Sequence, residues 1–350
     1  MKKYNFYAGP SYLDESILNK AIQLIENKEK LSFLEISHRS ETITTLFDET
    51  RSLIKELMQL DDNKEILFLH GGASLQFAMI PMNIKVKKTA AFVNTGIWTA
   101  KAIKEAKKLR ATEIIASSEE NKFNHIPTNY EINEDLGYLH LTSNNTIYGT
   151  QFNQFPKTKV PLVVDMSSDL LSRTMDFNQF DLIFAGFQKN LGTAGGCLVI
   201  VNKNLINCDS KTTPSMLDYK VHIKGNSMFN TPPVFTVLMA NLTLKWIKEN
   251  GGLQEVERRN TLKAKMLYAE IDSNPNFLNS VAKEDRSMMN ICFDTIDKTT
   301  EKAFSQLCAE KNILGIKGHR IKGGFRASLY NSMPIEAVEY LVEVMKSFKA

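Results

Sequence analysis

The pattern of apolar and polar positions predicts a sheet-rich region in the first two thirds of the chain. Short apolar runs, such as residues 66–69 and 162–164, are each followed by a turn and then by a stretch with helical spacing. Near-continuous apolar strands that alternate with helices indicate an α/β fold with a mostly parallel sheet, covered on both faces. The predicted strands are 66–69, 90–93, 114–115, 138–141, 162–164, 182–184 and 198–201.

Helical spacing flanks this region on both sides. Apolar residues recur every three or four positions over residues 17–25 and 43–57, and Ser40 is a candidate N-cap for the second helix. A further helix is predicted from Pro232 to a stop signal, Asn-Gly-Gly, at residues 250–252.

After residue 251 the pattern becomes a mixture of helices and strands. It predicts helices at 253–272 and 300–311, strands at 289–293, 315–320 and 324–329, and a closing helix from Pro334. We therefore predict a large α/β domain over 16–250 and a smaller α+β domain over 251–350. The N-terminal segment 1–15 is expected to pack against the small domain.

Composition and charge exclude several classes of protein. The 43 basic and 39 acidic residues leave a net charge of +4, too small to indicate a nucleic-acid partner. No apolar run approaches the roughly 18 residues of a membrane span, and no signal peptide is recognised. The four cysteines form no CxxC pair and the six histidines lack metal-ligand spacing to them, so we expect neither disulfides nor a metal site. A cytoplasmic protein without a membrane partner is predicted.

Two residues at predicted strand ends suggest chemistry. Lys189 lies in a glycine-rich segment, 184–196, where open α/β sheets place ligand-binding groups, although a glycine turn with a solvated lysine explains it equally well. Asp165 ends an apolar strand, where a buried carboxylate is costly without a compensating cation or hydrogen bonds. The protonated ring nitrogen of pyridoxal phosphate, held by a lysine as a Schiff base, would supply that cation. A helix N-cap is the alternative role for Asp165.

Two further turns suit the same cofactor. Residues 69–77, Leu-His-Gly-Gly-Ala-Ser-Leu-Gln-Phe, read as a strand, a glycine turn and a helix start, whose backbone N–H groups would bind a phosphate. The same turn is common without a ligand. Trp98 follows another strand, where its ring suits either stacking on a planar cofactor or burial in the core.

Other polar residues are assigned ordinary roles. A basic stretch at helical spacing is expected to be a solvated helix face, and structural or surface roles are expected for four histidines without recognisable partners. These residues are Lys101, Lys104, Lys107, Lys108 and Arg110, and His70, His125, His140 and His222.

Six segments together resemble the phosphoserine aminotransferases, a family of class V, fold-type I enzymes that use pyridoxal phosphate. They are residues 5–10 (Asn-Phe-Tyr-Ala-Gly-Pro), 36–40 (Ile-Ser-His-Arg-Ser), 145–149 (Asn-Thr-Ile-Tyr-Gly), 188–190 (Gln-Lys-Asn), 230–233 (Asn-Thr-Pro-Pro) and 326–331 (Arg-Ala-Ser-Leu-Tyr-Asn). The resemblance covers essentially the whole chain. It implies a ping-pong transaminase of L-serine biosynthesis that converts 3-phosphohydroxypyruvate and L-glutamate to O-phospho-L-serine and 2-oxoglutarate. The analogous step of pyridoxine biosynthesis is a second implied reaction.

The resemblance implies a role for each candidate cofactor residue. Lys189 carries the cofactor and moves the substrate proton, Asp165 pairs with the ring nitrogen, and Trp98 stacks on the ring. The other implied cofactor-binding residues are Ala73, Ser74, Thr146, Gln188, Asn230 and Thr231. Of these, the last two reach the phosphate in the neighbouring subunit, which implies a homodimer with active sites at the subunit interface.

Substrate binding is assigned to basic residues by the same resemblance. Arg326 matches the arginine that grips the α-carboxylate in a bidentate fork. The cluster that binds the second anion of the substrate is matched by His38, Arg39, His319 and Arg320. Some family members carry arginine where Ser74 stands, so the substrate phosphate must rely here on those four residues.

Two alternatives remain open on the sequence. One is another class V enzyme, such as an alanine–glyoxylate-type transaminase or a cysteine desulfurase. Gln188 precedes the lysine where desulfurases carry histidine, and no cysteine has a family-like loop context. The other is a non-enzymatic phosphate-binding α/β protein, which would leave Lys189, Asp165 and Arg326 unexplained.

Overall fold

The computed structural model describes residues 3–26, 31–84 and 88–349. Its helices are α1 (Glu15–Ile25), α2 (Glu41–Met58), α3 (Gly72–Asn83), α4 (Ile97–Ala106), α5 (Tyr219–Lys224), α6 (Val234–Glu249), α7 (Gly252–Ser273), α8 (Lys298–Glu310) and α9 (Ile335–Ser347). Its strands are β1 (Tyr4–Asn5), β2 (Lys64–Leu69), β3 (Ala90–Asn94), β4 (Thr112–Ser117), β5 (Tyr138–Thr142), β6 (Leu162–Asp165), β7 (Leu182–Gly186), β8 (Cys197–Asn202), β9 (Phe277–Leu278), β10 (Asn290–Thr295), β11 (Ile313–Leu314) and β12 (Phe325–Ser328). Within these ranges, no helix has the length and apolar character needed to cross a membrane.

A seven-stranded sheet in the order β2-β8-β7-β6-β5-β3-β4 forms the centre of the molecule. Strand β8 runs antiparallel to both of its neighbours, and the other pairs are parallel. All seven strands predicted from apolar runs lie in this sheet, so the predicted α/β fold is confirmed.

Helices cover both faces of the sheet, because its central strands are apolar on both sides. Val163 and Phe184 belong to one core cluster, whereas their chain neighbours Val164 and Ile183 belong to another. Successive side chains in a strand point to opposite faces. On one face α2 packs against α6, and α6 against α1; on the other α3 packs against α4. The side chain of Ser40 accepts a hydrogen bond from the N–H of Ile43, as predicted for an N-cap.

A smaller antiparallel sheet, β12-β10-β9, lies in the last third of the chain. Helices α7 and α9 pack against each other, and a third core cluster joins them to this sheet. The N-terminal segment reaches the same region, since β1 pairs in parallel with β11 and Phe6 is fully buried in that cluster. The domain boundary near residue 251 stays a prediction.

Two local predictions are wrong. Residues 315–320 form no strand beyond a single bridge from Lys317 to Phe325. The chain forms a tight turn after Lys317 that brings residues 318 and 323 together. The approach is so close that a Cβ on Gly318 would lie 2.0 Å from the carbonyl oxygen of Gly323. The basic stretch is not one solvated helix face, because α4 ends at Ala106. Arg110 is half-buried and donates to the carbonyl of Ile84 at 2.9 Å.

Candidate active site

The parallel strands of the large sheet end at one edge, and five of the segments that follow them line a common cavity. These segments are residues 70–74 after β2, 96–98 after β3, 142–146 at the end of β5, 165–168 at the end of β6 and 186–189 at the end of β7. The cavity measures about 160 Å³. Of the residues predicted to bind a cofactor, it is lined by Ala73, Ser74, Trp98, Asp165, Gln188 and Lys189. A larger groove between α2 and α7, about 800 Å³, is lined by none of them.

Asp165 and Lys189 form the charged centre of this cavity. Burial lowers the pKa of Lys189 to about 8, against the attraction of Asp165, and the positive charge of Arg326 lowers it further. Burial likewise raises the pKa of Asp165, against the attraction of Lys189 and a hydrogen bond from Ser167. The site therefore provides an amine that is partly neutral near physiological pH and a carboxylate that lacks a full cationic partner.

The alternative role for Asp165 is partly realised. Its Oδ1 accepts the N–H of Ser167 at 2.9 Å, as an N-cap side chain would, but no helix follows.

The N-terminal segment contacts the backbone at Lys189. Ser11 donates its N–H to the carbonyl of Gln188 at 3.0 Å and its hydroxyl to the carbonyl of Lys189. No sequence pattern predicts this contact, because the two segments lie 178 residues apart along the chain.

The glycine turn before α3 has the form of an anion site. Gly71 adopts a left-handed conformation with φ 82°, and a Cβ there would lie 2.5 Å from Leu75. At Gly72 a Cβ would meet nothing within 4 Å, because this residue faces the open cavity. No side chain of a described residue caps the first turn of α3. Its backbone N–H groups and its positive dipole end are therefore available for an anion, beside the Ser74 hydroxyl.

Trp98, Thr146 and Arg326 join the cavity to the small sheet. The indole Nε1 of Trp98 donates to the Thr146 hydroxyl at 3.0 Å, and Arg326 on β12 donates from Nη1 to the Thr146 carbonyl at 2.8 Å. Lys189 Nζ lies 6.0 Å from the centre of the Trp98 ring. The Nε of Arg326 is buried and has no hydrogen-bond partner among the described residues, so part of this guanidinium remains available for a ligand.

A second buried carboxylate, Asp169, was missed by the sequence analysis. It accepts hydrogen bonds from Ser143 and from Gln151, the latter at 3.0 Å, and its side chain is 1% exposed. Burial raises its pKa, against the attraction of Arg173. The only available signal was its place in the polar run Ser-Ser-Asp after β6, which resembles an ordinary turn. Asp169 ties the ends of β5 and β6 together and so supports the strand that carries Asp165.

The predicted substrate-binding cations fall into two groups. His319 and Arg320 lie in the turn between β11 and β12, and the positive charges of Arg326, Arg320 and Lys101 contribute to lowering the pKa of His319, after burial. His38 and Arg39 lie elsewhere, in the loop before α2, and neither side chain has a hydrogen bond or ion pair to another described residue.

Asn230 and Thr231 also lie outside the cavity. They precede α6, and the carbonyl of Thr231 is 2.8 Å from Nε2 of His70, in a hydrogen bond that gives His70 the partner the sequence did not reveal. The structure therefore brings most of the predicted cofactor residues together within one chain, but it leaves His38, Arg39, Asn230 and Thr231 apart from them.

The residues present fit pyridoxal phosphate. The cavity offers the uncapped first turn of α3 to a phosphate, Trp98 to a flat ring, Asp165 to a ring nitrogen and Lys189 to an aldehyde. Gly72 lines this space with a φ of 61°, a left-handed conformation that favours glycine. Among the described residues no cluster of His, Cys, Asp or Glu side chains could hold a metal ion.

Comparisons with a family model, with related sequences and with solved structures all find aminotransferases. The family model for class-V aminotransferases matches residues 3–341. Phosphoserine aminotransferase of Flavobacterium johnsoniae is 49% identical over 354 residues, which is 100% of this chain and 99% of that protein. The solved structure of phosphoserine aminotransferase from Bacillus circulans subsp. alkalophilus covers 99% of this chain and 98% of its own, with a TM-score of 0.95 and 42% identity. A phosphoserine aminotransferase of Trichomonas vaginalis, solved with pyridoxal phosphate bound, covers 99% of this chain and 100% of its own at 36% identity, with a TM-score of 0.93.

Proposed function

This chain belongs to the class-V aminotransferases, and we propose that it is a pyridoxal-phosphate-dependent transaminase that converts 3-phosphohydroxypyruvate and L-glutamate to O-phospho-L-serine and 2-oxoglutarate. The observation that carries this proposal is the half-buried Lys189 and the buried Asp165 in one cavity with an open anion turn, together with Arg326, which has no carboxylate partner among the described residues. Relatives named phosphoserine aminotransferase, at 48–49% identity over the whole chain, support the choice of substrate.

Lys189 and Asp165 have different roles in binding the cofactor and in proton transfer. Bound pyridoxal phosphate supplies an aldehyde that takes up the amino group and a ring that withdraws electrons from the substrate Cα. Lys189 holds the cofactor and then uses its Nζ to accept the proton from that Cα, a role for which a pKa of about 8 is well placed. Asp165 keeps the ring nitrogen protonated, and that cation in turn compensates the buried carboxylate.

The remaining cofactor residues orient the ring and the phosphate. Trp98, fixed by its hydrogen bond to Thr146, would stack on the ring, and Gln188, which lines the cavity, would hydrogen-bond the cofactor. The backbone N–H groups of Ala73 and Ser74, in the first turn of α3, and the Ser74 hydroxyl would hold the cofactor phosphate.

Substrate binding falls to the cations at the mouth of the cavity. Arg326 is already oriented by Thr146 and offers its other N–H groups to the α-carboxylate. His319 and Arg320, together with His38 and Arg39, bind the second anion, which is a phosphate in one half-reaction and the γ-carboxylate of glutamate in the other. One site that accepts both anions in turn is what a ping-pong reaction requires.

A homodimer explains the residues that lie apart from the cavity. Large apolar side chains are exposed next to both outlying pairs: Leu31 and Leu34 (both 59% exposed) precede His38 and Arg39, while Phe229 (46%) and Phe235 (38%) flank Asn230 and Thr231. Helix α1 packs against α6 and against residues 33–35, and it exposes Leu18 and Ile22. Burying this face against a second copy would remove it from water and carry both pairs toward the partner's site.

The test is the visible absorption spectrum of the protein reconstituted with pyridoxal phosphate. A yellow band that bleaches with L-glutamate and returns with 3-phosphohydroxypyruvate supports the proposal. Hydroxypyruvate without the phosphate is the control, and equal recovery with it would favour another class V transaminase. A protein that stays colourless, and a K189A variant that gains the same band as the wild type, would each contradict it. The pyridoxine-pathway reaction and the cytoplasmic location stay predictions.

A further inference from the structure

The mouth of the cavity carries an excess of positive charge that the predicted site did not include in full. Lys101 lies on α4, one turn after Trp98, and its Nζ is 4.4 Å from the centre of the Trp98 ring. Within the described ranges, no ion pair includes Lys101, Arg320 or Arg326. These three cations come from α4, from the turn between β11 and β12 and from β12, and their charges are not neutralised by an ion pair with a described residue, so they are available to an external anion.

Arg326 and Lys101 approach Trp98 from two elements: Arg326 donates to the Thr146 carbonyl, the Thr146 hydroxyl accepts from Trp98, and Lys101 Nζ lies near the centre of the same ring. His319 has its pKa lowered first by burial and then by Arg326, Arg320 and Lys101, in that order. Lys101, from α4, therefore lies close enough to the turn between β11 and β12 to repel a proton on His319. Two elements from different parts of the chain thus direct positive charge at the same space, beside the ring that the cofactor would stack on.

We propose that Lys101 is a specificity-determining residue that contacts the phosphate of the substrate and makes this site prefer a phosphate over a carboxylate. The inference rests on the function proposed above and extends it. Ser74 lines the cavity without supplying a charge, and Lys101 supplies a cation from α4, the helix that packs against α3.

The preference follows from the charges of the two substrates. A phosphate monoester carries about −1.5 to −2 charges near pH 7, whereas the γ-carboxylate of glutamate carries a single charge. The Coulomb energy with a fixed cation grows with the charge of the ligand. Lys101 therefore stabilises bound O-phospho-L-serine and 3-phosphohydroxypyruvate more than bound glutamate. Its long stem reaches across Trp98 and keeps the ammonium group mobile enough to serve both ligands.

Helix α4 offers a matched control. Lys104 lies three residues further along the same helix and is exposed, as Lys101 is, and it has no ion pair within the described residues. It does not contribute to the shifted pKa of His319. The variants K101Q and K104Q remove the same charge from the same helix, and K101R retains the charge at the proposed contact.

The experiment uses the cofactor-loaded full-length enzyme and titrates each half-reaction separately by its absorbance change. In K101Q we expect the concentration of O-phospho-L-serine at half-saturation to rise about tenfold, and that of L-glutamate about threefold or less. K104Q should leave both values unchanged, and K101R should keep the value for O-phospho-L-serine within about threefold of the wild type.

The outcomes separate this inference from the function on which it rests. If the wild type responds to glutamate but not to O-phospho-L-serine, the proposed function is wrong. If the wild type responds to both, and K104Q raises the half-saturation concentrations as much as K101Q does, the effect comes from the general positive charge of α4. The role of Lys101 is then refuted. An equal loss for glutamate and O-phospho-L-serine in K101Q would refute it as well.

Discussion

The two ends of the candidate site are built in different ways. At the cofactor end, Asp165, Lys189 and the first turn of α3 follow strands of one buried sheet, and their positions are fixed by hydrogen bonds within the chain. At the substrate end, Arg39 and Arg320 are exposed and unpaired within the described residues, and they lie in two loops far apart along the chain, before α2 and between β11 and β12.

The difference follows from what each end must do. A cofactor that stays bound is served by rigid groups whose burial shifts their pKa values. A substrate site that accepts a phosphate and a carboxylate in turn is served by mobile cations that remain in water until an anion arrives. Substitutions should therefore act mainly on the rate of the chemical step at the first end and on substrate affinity at the second.

The largest effect is expected from substitution of Asp165. The same substitution at Asp169, the second buried carboxylate, is the comparison. We expect D165N to lower kcat about 10²- to 10³-fold, because an amide cannot stabilise a protonated ring nitrogen. D169N should keep kcat within about threefold, and the free energy of unfolding should fall by about 1–3 kcal/mol, since the amide cannot accept from both Ser143 and Gln151. Single-turnover kinetics with glutamate and thermal unfolding measure the two effects. Equal losses of kcat would show that the two carboxylates do not divide these roles.

The next effect concerns Arg326, which connects the two ends. We expect R326K to raise the KM of both amino-acid substrates about 10- to 100-fold with little change in kcat, because an ammonium group cannot form the fork that a guanidinium offers to a carboxylate. R258K, at an exposed arginine paired with Glu255, is the control and should leave both constants unchanged. A fall in kcat without a change in KM would place Arg326 at the cofactor end instead.

A smaller effect is expected from pH on cofactor uptake. The neutral amine of Lys189 attacks the aldehyde, and its pKa is lowered to about 8. The rate of reconstitution with pyridoxal phosphate should therefore rise about tenfold from pH 7 to pH 9 and then level off. In D165N the midpoint should fall, because the negative charge of Asp165 raises the pKa of Lys189. A rate that keeps rising to pH 10.5 would show an amine with an ordinary pKa.

The smallest effect tests whether the substrate end is shared between subunits. R39A and K189A proteins are mixed, unfolded and refolded together, and activity is measured at a substrate concentration too low to saturate R39A, at which R39A alone is nearly inactive. If Arg39 acts in the partner's site, half of the dimers are mixed and each contains one complete site, so about a quarter of wild-type activity returns. Mixing K189A with D165N is the control, because both residues lie in the same cavity and no complete site can form. The absence of recovery in the first mixture would place Arg39 in its own chain's site.

Sequence reasoning succeeded where the signal was local. The apolar runs located all seven strands of the large sheet because a strand buried on both faces has few polar residues. Asp165 and Lys189 were found because polar residues at the ends of such strands stand out. The strand predicted at 315–320 was wrong because a close turn at Gly318 depends on contacts with residues 323 and 324.

Asp169, Ser11 and the role of His70 were missed for a related reason. Their partners are 18 to 178 residues away along the chain, and no spacing rule reports contacts at such separations. Helical periodicity correctly predicts that Lys101 is exposed on a helix, but it does not show which element stands opposite that residue.

The sequence by itself determined the order of strands and helices along the chain, the family resemblance and the residues at strand ends, because each depends on neighbours within a few positions. Only the tertiary structure decided how far burial shifts the pKa values of Lys189 and Asp165, which cations converge beside Trp98, and which predicted site residues remain apart in one chain. Those properties depend on desolvation and on distances between segments, and both are set only when the sheet has been assembled.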